Sequence, residues 1–527
     1  MTTTQGRAAA GLSSAARADL VALLGSAAVL DEEASGREYG DPFTFAGWHS
    51  RRISATVLPE TVADVQGILR LAGRHGFPLW VVSQGRNNAY GGSAPRVPGS
   101  VLVSLRRMNR VLEVDEEHAV ARFEPGVRFF DLYDHLRAGG HRLWSSAPDL
   151  GWGSVVGNAL EHGVGYTVHG DHAARLCGLE VVLPDGEVVR TGMGAMGGNR
   201  AWNLHPRGFG PTFDGLFGQS NLGIVTKAGV WMMPEPEHYF SGSIQVPRRE
   251  DLPALVDAVR PLLLSGVMQN PPAIGHPAFI AALVPGAPSR SEVHSGPGPI
   301  PEAAVEALAG RLDLGRWTMR FALYGTEPIV AARLAAVRAA VAVIDGARVD
   351  GTSFAGHEVH DLARDQNAQV QAGIPSLDLM KALDWYSGPG GGHLDFSVVA
   401  PLRGNDITRL HDLLDGLMAG TGLDFDCAMI LGRRYAINVM QLYFHPEDEA
   451  TVSRVWELYP RLVRAAAAEG FALYRAHLDF MDVGAEQFDA HDHAQLRFSE
   501  RLKDALDPAG VLAPGKQGVW PAAYRAG

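Results

Sequence analysis

A chain of 527 residues is too long for one small core, and roughly two or three domains are expected. Hydrophobic residues at 46% and charged residues at 20% describe an ordinary globular composition, and a net charge of -12 without blocks of like charge argues against a nucleic-acid partner. The two cysteines, Cys177 and Cys427, lie far apart in apolar contexts, which excludes a disulfide framework and a zinc site and suits a reducing cytosol. No stretch approaches about 18 uninterrupted apolar residues, and the N-terminal segment lacks a signal-peptide centre. A soluble, cytoplasmic protein with no membrane partner is expected.

The first forty residues read as a helical arm and a polar linker. "LPETVADVQGILRLAGRHG" then sets Val62, Val65, Ile68, Leu69 and Ala72 at helical spacing, with Thr61 and Asp64 as a capping box and Gly73 and Gly76 as stops. Phe77 to Val82 reads as a buried strand that runs into "SQGRNNAYGG", Ser83 to Gly92. "VLEVDEEHAVARFEPGV" is a strand, a charged turn and a strand, and "RFFDLYDHLRAGG" a helix closed by glycines. "GLEVVLPDGEVVRTG" is a hairpin turning at Pro184, Asp185 and Gly186, and "NLGIVTKAGVWMM" a further strand. Near Pro234 the composition shifts. Strands such as Trp317 to Gly325 now alternate with long helices, through "HLDFSVVAP", "DCAMILG", "AINVMQLYFH" and a helix from Glu447 to Gly470. A large sheet covered by helices on one face is the natural reading. The chain ends in a helix, a turn and a Gly-Lys loop.

Two glycine-rich stretches stand out. Consecutive backbone amides converge on an anion, and glycine allows the close approach and positive φ that such a cradle needs. "SQGRNNAYGG" is therefore a candidate pyrophosphate loop, although it carries neither the G-x-G-x-x-G nor the G-x-x-x-x-G-K-[ST] pattern. Alone it also reads as a plain connection. The second stretch, "APDLGWGSVVGNALEHGVGYTVHGD", Ala147 to Asp171, interleaves glycine with Trp152, Asn158 and Tyr166, and so much glycine is costly in chain entropy unless something lies against the backbone.

Together with "GLEVVLPDGEVVRTGMG", "GIPSLD" (Gly373 to Asp378), "GGHLDFS" (Gly391 to Ser397), "LYRAH" (Leu473 to His477) and "LDPAGVLAPGKQGVW", these stretches resemble the vanillyl-alcohol oxidase family, near its eugenol-oxidase and 4-phenol-oxidase members. The likeness covers the chain from about residue 50 to Trp520. It implies an α+β, two-domain fold of the vanillyl-alcohol oxidase/p-cresol methylhydroxylase type. The expected division is an N-terminal arm (1–45), an FAD-binding domain (46–240), a cap domain with a large antiparallel sheet covered by helices (241–498), and a C-terminal segment (499–527) returning to the FAD-binding domain.

The resemblance also implies a site. Ser83, Gln84, Gly85, Arg86, Asn87, Asn88 and Gly91 in the first stretch would cradle FAD. So would Pro148, Gly151, Ser154, Gly157, Asn158, Gly165 and Tyr166 in the second, with Gly223, Val225 and Lys516. His393 falls where the family's oxidases attach the flavin covalently through its 8α-methyl group; by itself, a histidine at a strand start is more often a solvated or core residue. Tyr90, Tyr474 and Arg475 match the residues that hold the phenolic oxygen. A 4-alkylphenol gives up a benzylic hydride readily only as its phenolate, through a p-quinone methide, and a phenol's pKa near 10 has to be lowered by a fixed cation and hydrogen-bond donors. Asp149 matches the aspartate near flavin N5, able to take or return a proton or to activate water.

Three positions depart from the family's pattern. Leu379 stands where relatives often carry an acid, Asp395 replaces a small residue two positions after His393, and Ala428 replaces a larger polar residue near the para side chain. Ala428 is expected to enlarge the pocket toward ring-methoxylated or bulkier phenols. "HEVH", His357 to His360, and the histidines at 491 and 493 lack metal-ligand spacing, so no metal is expected. The leading expectation is a covalent FAD oxidase of para-substituted phenols, acting as a homodimer or larger homo-oligomer. It would pass hydride from the benzylic carbon to flavin N5 and return to the oxidised state with O2, releasing H2O2. The alternatives are a dehydrogenase with a cytochrome acceptor, a 2-hydroxy-acid or carbohydrate oxidoreductase, and a non-catalytic flavin protein. The related methylhydroxylases link flavin through tyrosine, and carbohydrate members usually place a linking histidine in the first glycine loop, where Ser83 to Gly92 has none.

Overall fold

A computed structural model describes residues 11–41, 43, 51–296, 298–361 and 365–525. Four sheets organise them. The first has the order β1-β2-β4-β3, from Val29–Leu30 (β1), Ile53–Val57 (β2), Leu79–Val82 (β3) and Ser100–Ser104 (β4). β2, β4 and β3 run parallel, and β1 pairs antiparallel with β2. The continuous apolar runs follow from this geometry, because parallel strands bury both faces. Helix Val62–His75 opens on the Thr61–Asp64 capping box and lays Val65, Ile68, Leu69 and Ala72 against Val101 and Val103. The strand expected from Phe77 starts at Leu79, after a proline that has no N–H to give the ladder. β1 lies in the segment read as arm and linker; two residues are too short to show a period.

The second sheet is antiparallel with order β5-β6-β10-β8-β9: Val111–Asp115 (β5), Val120–Phe123 (β6), Leu176–Val182 (β8), Val188–Arg190 (β9) and Ile224–Trp231 (β10). Leu143–Trp144 (β7) and Met233–Pro234 (β11) form a small ladder beside it.

The largest sheet has eight antiparallel strands in the order β15-β12-β14-β13-β17-β18-β16-β19. They are His238–Val246 (β12), Ala273–Gly275 (β13), Trp317–Gly325 (β14), Arg348–Ala355 (β15), Gly392–Pro401 (β16), Cys427–Leu431 (β17), Tyr435–Phe444 (β18) and Ala472–Arg475 (β19). Side chains alternate across a strand. On one face Met319, Phe321, Leu394, Phe396, Met429 and Met440 join the core with helices Leu252–Ser265, Glu327–Val341, Gly404–Met418 and Glu449–Ala468. The other face is turned toward the two smaller sheets and their glycine loops.

The chain's end crosses back to the first sheet. Leu79 N donates to Val511 O (2.7 Å) and Ala513 N to Leu79 O (2.8 Å), extending that sheet beside β3. The buried Lys503 ammonium donates to Asn221 O (2.8 Å) and Leu512 O (2.6 Å). Among the described residues no helix is long and apolar enough to cross a membrane, and no cluster of His, Cys, Asp and Glu could hold a metal ion.

Candidate active site

A cavity of about 1180 Å³ lies between the glycine loops and the uncovered face of the large sheet. That exceeds the range of about 300–1,000 Å³ usual for a single drug-sized ligand, leaving room for a dinucleotide and a small second molecule.

One wall is backbone. β3 runs into Ser83–Asn88, where, among the described residues, the N–H groups of Gln84, Gly85, Arg86, Asn87 and Asn88 meet no acceptor. An open row of backbone N–H groups lining a cavity suits an anion. Arg106 holds the loop from behind, donating through Nε and Nη2 to Gln84 O (3.0 and 2.9 Å). The second stretch closes on it through helix Val155–Leu160, whose cap Ser154 Oγ accepts from Gly157 N (2.8 Å). Glycine at 157 leaves room for this approach, because a Cβ would fall inside the envelope of Ser83 Oγ and force that hydroxyl to move.

The other wall is side chain. The sheet face presents Thr318 and Arg320 from β14, Ala273 and Gly275 from β13, and Ala428 and Ile430 from β17. Val439 and Gln441 follow from β18, His393 and Asp395 from β16, and Tyr474 and Arg475 from β19. Every second residue of "WTMRF", "CAMIL" and "GHLDF" therefore faces the cavity, as the alternation requires. Cross-strand register places Arg475 opposite Ser397, Ser397 opposite Val439, and Val439 opposite Ala428. Ala428 thus lies three strands from Arg475, roughly 14 Å at about 4.7–4.9 Å per strand.

Tyr90, Tyr474 and Arg475 come together. The Arg475 guanidinium lies over the Tyr90 ring (4.1 Å to the centroid) and donates through Nη2 to Asn87 Oδ1 (2.6 Å). The Tyr90 hydroxyl is 2.8 Å from Ser397 Oγ. Burial, reinforced by Asp395, holds the Tyr90 phenol well above its usual range, although Arg475 pulls the other way. Burial also raises Tyr474 against the pull of Arg475. Burial disfavours the Arg475 cation, but Tyr90, Tyr474, Glu161 and Asp395 outweigh it and raise its pKa. Two neutral hydroxyls and one fixed cation therefore share this end of the cavity.

Ser83, Gln84, Gly85, Arg86, Asn87 and Asn88 line the cavity, as do Pro148, Ser154, Gly157, Asn158 and Tyr166. Gly223, Val225, Leu379 and Lys516 do so too, the last with its ammonium paired to Glu161. Gly91, Gly151 and Gly165 are not on this wall. Gly91, at φ +101, packs instead against Leu478, where a Cβ has no room. Asp149 also lies behind the wall. It is 1% exposed, accepting from Gln366 Nε2 (3.1 Å) and pairing with Arg320 (3.4 Å), and both of those partners face the cavity. Burial raises the Asp149 pKa against the pull of Arg320. The Arg320 guanidinium stacks on the Tyr166 ring at 4.0 Å.

Sequence reasoning passed over Arg320, Gln366, Ser397 and Gln441. Arg320 was available from the alternation, since Thr318 and Arg320 interrupt Met319 and Phe321 at strand spacing. Ser397 follows Asp395 by two in the same way. The acid absent at Leu379 has a neighbour on the wall, Asp378, whose carboxylate pairs with Lys381 (2.5 Å).

An anion-ready loop facing a dinucleotide-sized cavity over a paved sheet suits a dinucleotide, and similarity to known proteins makes the class an FAD-linked oxidoreductase. The chain matches the FAD binding domain model over residues 53–192 and the C-terminal domain model of FAD linked oxidases over 428–517. It is 32% identical over 468 residues to the "4-cresol dehydrogenase [hydroxylating] flavoprotein subunit" of Pseudomonas putida, covering 88% of each chain. Among solved structures, a 4-ethylphenol oxidase from Gulosibacter chungangensis in complex with isoeugenol superposes with TM-score 0.91 at 36% identity, over 97% of this chain and 99% of that one. A p-cresol methylhydroxylase with substrate bound gives 0.90 at 29% identity, over 96% of both chains. This chain belongs to the vanillyl-alcohol oxidase/p-cresol methylhydroxylase family of flavoproteins, whose fold it has.

The residues present fit FAD. The open N–H groups suit its pyrophosphate. His393 Nδ1 is buried without a hydrogen-bond partner among the described residues, on a side chain that faces the cavity. Burial lowers the His393 pKa, against the pull of Asp395, and so favours the neutral imidazole.

Proposed function

We propose that this chain is an FAD-dependent oxidase of para-substituted phenols carrying 4-alkyl, 4-allyl or 4-hydroxymethyl groups, with the flavin attached covalently through His393. The observation that carries the reading is the convergence of Tyr90, Tyr474 and Arg475 on one end of a dinucleotide-sized cavity. Bound FAD supplies the hydride acceptor and, through O2, the route to hydrogen peroxide. The protein's part is to ionise and aim the phenol. Bringing a pKa of about 10 down to 7 takes about 4 kcal/mol, and a preorganised cation supplies about 2–4 kcal/mol of that kind of stabilisation. The two tyrosine hydroxyls, kept neutral by burial, donate the rest. At the benzylic end Asp149, whose protonated form burial favours, acts through Gln366 and Arg320 when a proton must be held or returned. The wall residues Ser83 to Asn88, Ser154 and Gly157 seat the cofactor.

A second reading, transfer of electrons to a protein acceptor, is favoured by the similarity to a 4-cresol dehydrogenase. One assay separates the two. Purified enzyme is offered a panel of 4-alkyl, 4-allyl and 4-hydroxymethyl phenols in air. Peroxide formed in step with phenol consumed supports the oxidase. Turnover that needs an added electron acceptor and forms no peroxide supports the dehydrogenase. No turnover with any phenol sinks both. For the linkage, acid-precipitated protein is expected to stay yellow and His393→Ala to lose its colour on precipitation; colour released from the native protein would refute attachment.

A further inference from the structure

Resting on the phenol reading above, we propose that Asp395 is the base that takes the phenol's proton when substrate binds. An ionised phenol beside Arg475 leaves a proton to be placed. Four carboxylates reach the cavity wall: Glu161, Asp365, Asp378 and Asp395. Three are committed. Glu161 pairs with Lys516, Asp378 with Lys381, and Asp365 Oδ1 accepts from Ala368 N (3.0 Å) as a helix cap. Asp395 Oδ1 is buried and accepts no hydrogen bond among the described residues; His393 Nε2 stands 3.4 Å away. Asp395 lies at the phenol end, on the strand that also carries Ser397, the neighbour of the Tyr90 hydroxyl.

The groups facing this carboxyl are named element by element. His393 lies on its own strand, Arg475 and Tyr474 on β19, and Tyr90 on the glycine loop. Tyr443 is on β18, and Asp426 immediately precedes β17. Tyr459, on helix Glu449–Ala468, donates to the Asp395 backbone carbonyl (3.3 Å). Burial raises the Asp395 pKa, while His393 and Arg475 pull it down. A carboxylate raised by burial is a better proton acceptor than one in water.

The step balances simply. The phenol O–H bond breaks and an O–H bond forms on an Asp395 oxygen, directly or through the Tyr90 hydroxyl. No electrons move, and a proton returns to the oxygen when product leaves as a phenol. Charge is conserved within the site, so binding a phenol as phenolate releases no proton to solvent.

That count is the test. Holoenzyme is titrated without oxygen with 4-hydroxybenzaldehyde, whose phenolate absorbs at longer wavelength than its phenol, below the ligand's own pKa in weak buffer with a pH indicator. The native protein is expected to show bound phenolate with near zero protons released, and an affinity that barely changes with pH. Asp395→Asn is expected either to bind the neutral phenol or to release one proton per phenolate bound, its affinity rising tenfold per pH unit. One proton released per phenolate by the native protein overturns the proposal without needing the variant, as does an Asp395→Asn protein that shows bound phenolate by absorbance with the native proton count and pH slope. Absence of bound phenolate in the native protein, with or without neutral phenol bound, overturns the phenol reading and this proposal together.

Discussion

The cavity's two walls are made of different material. Ser83–Asn88 presents open backbone N–H groups, and the helix start that carries Gly157 packs closely against it. The large sheet presents side chains, mostly at alternate residues, on seven neighbouring strands. A backbone wall carries little information beyond shape and sign of charge, which suits a cofactor. A side-chain wall can be rewritten one residue at a time without moving the strands. Leu379, Asp395 and Ala428, the three positions at which the sequence is expected to depart from the family's pattern, all line the cavity, and none lies in a glycine loop.

The sharpest way to break this contrast is Gly157→Val. The added carbons meet Ser83 Oγ and push the anion loop away from its site. Overpacking alone costs about 1–3 kcal/mol, and here the displaced N–H groups lose their geometry as well. The ratio of flavin to protein absorbance is expected to fall below about a tenth of the native value, with the large sheet's far-ultraviolet signal unchanged. A variant that keeps its full complement of flavin would show that the backbone wall does not seat the cofactor.

The same contrast explains what the sequence disclosed. Glycine loops are contiguous, so "SQGRNNAYGG" and "PDLGWGS" were visible as units, and the sheet could be expected from its alternating strands. The side-chain wall is assembled from strands separated along the chain, and its members meet only through register. Ser397 reaches Tyr90 across 307 positions and Arg320 reaches Asp149 across 171. Neither pairing has a local signature. Asp149 shows the converse: the segment was recognisable, yet its carboxyl turns out to stand behind Arg320 and Gln366, since orientation is decided by packing that a Pro-Asp turn does not encode.

Arg475→Leu tests whether the side-chain wall acts on chemistry and leaves cofactor seating alone. Loss of a preorganised charge costs about 2–4 kcal/mol, on the order of a hundredfold in kcat. Flavin content is expected to stay near native, although the Asn87 hydrogen bond is lost. The deficit should shrink for phenols made more acidic by ring halogens, which need less help to ionise. Equal losses for acidic and ordinary phenols would remove the guanidinium from the ionisation step.

The smallest effect expected is at Ala428, and register says what it reads. With Arg475 holding the phenolic oxygen, Ala428 sits three strands away, roughly 14 Å at about 4.7–4.9 Å per strand. That backbone spacing exceeds the length of a benzene ring, and on the proposed binding the residue is expected to meet the para substituent more than an ortho-methoxy group. A longer side chain there overlaps the end of a long para chain, at about 1–3 kcal/mol in a packed site, and leaves a para-methyl group untouched. Ala428→Gln is therefore expected to lower kcat/KM for 4-propyl and 4-allyl phenols by about five- to a hundredfold, with 4-methylphenol changed little and flavin content not at all. If ortho-methoxylation decides the loss while para length has no influence, the sheet does not measure substrate along its register, and the division of labour between the two walls needs a different geometry.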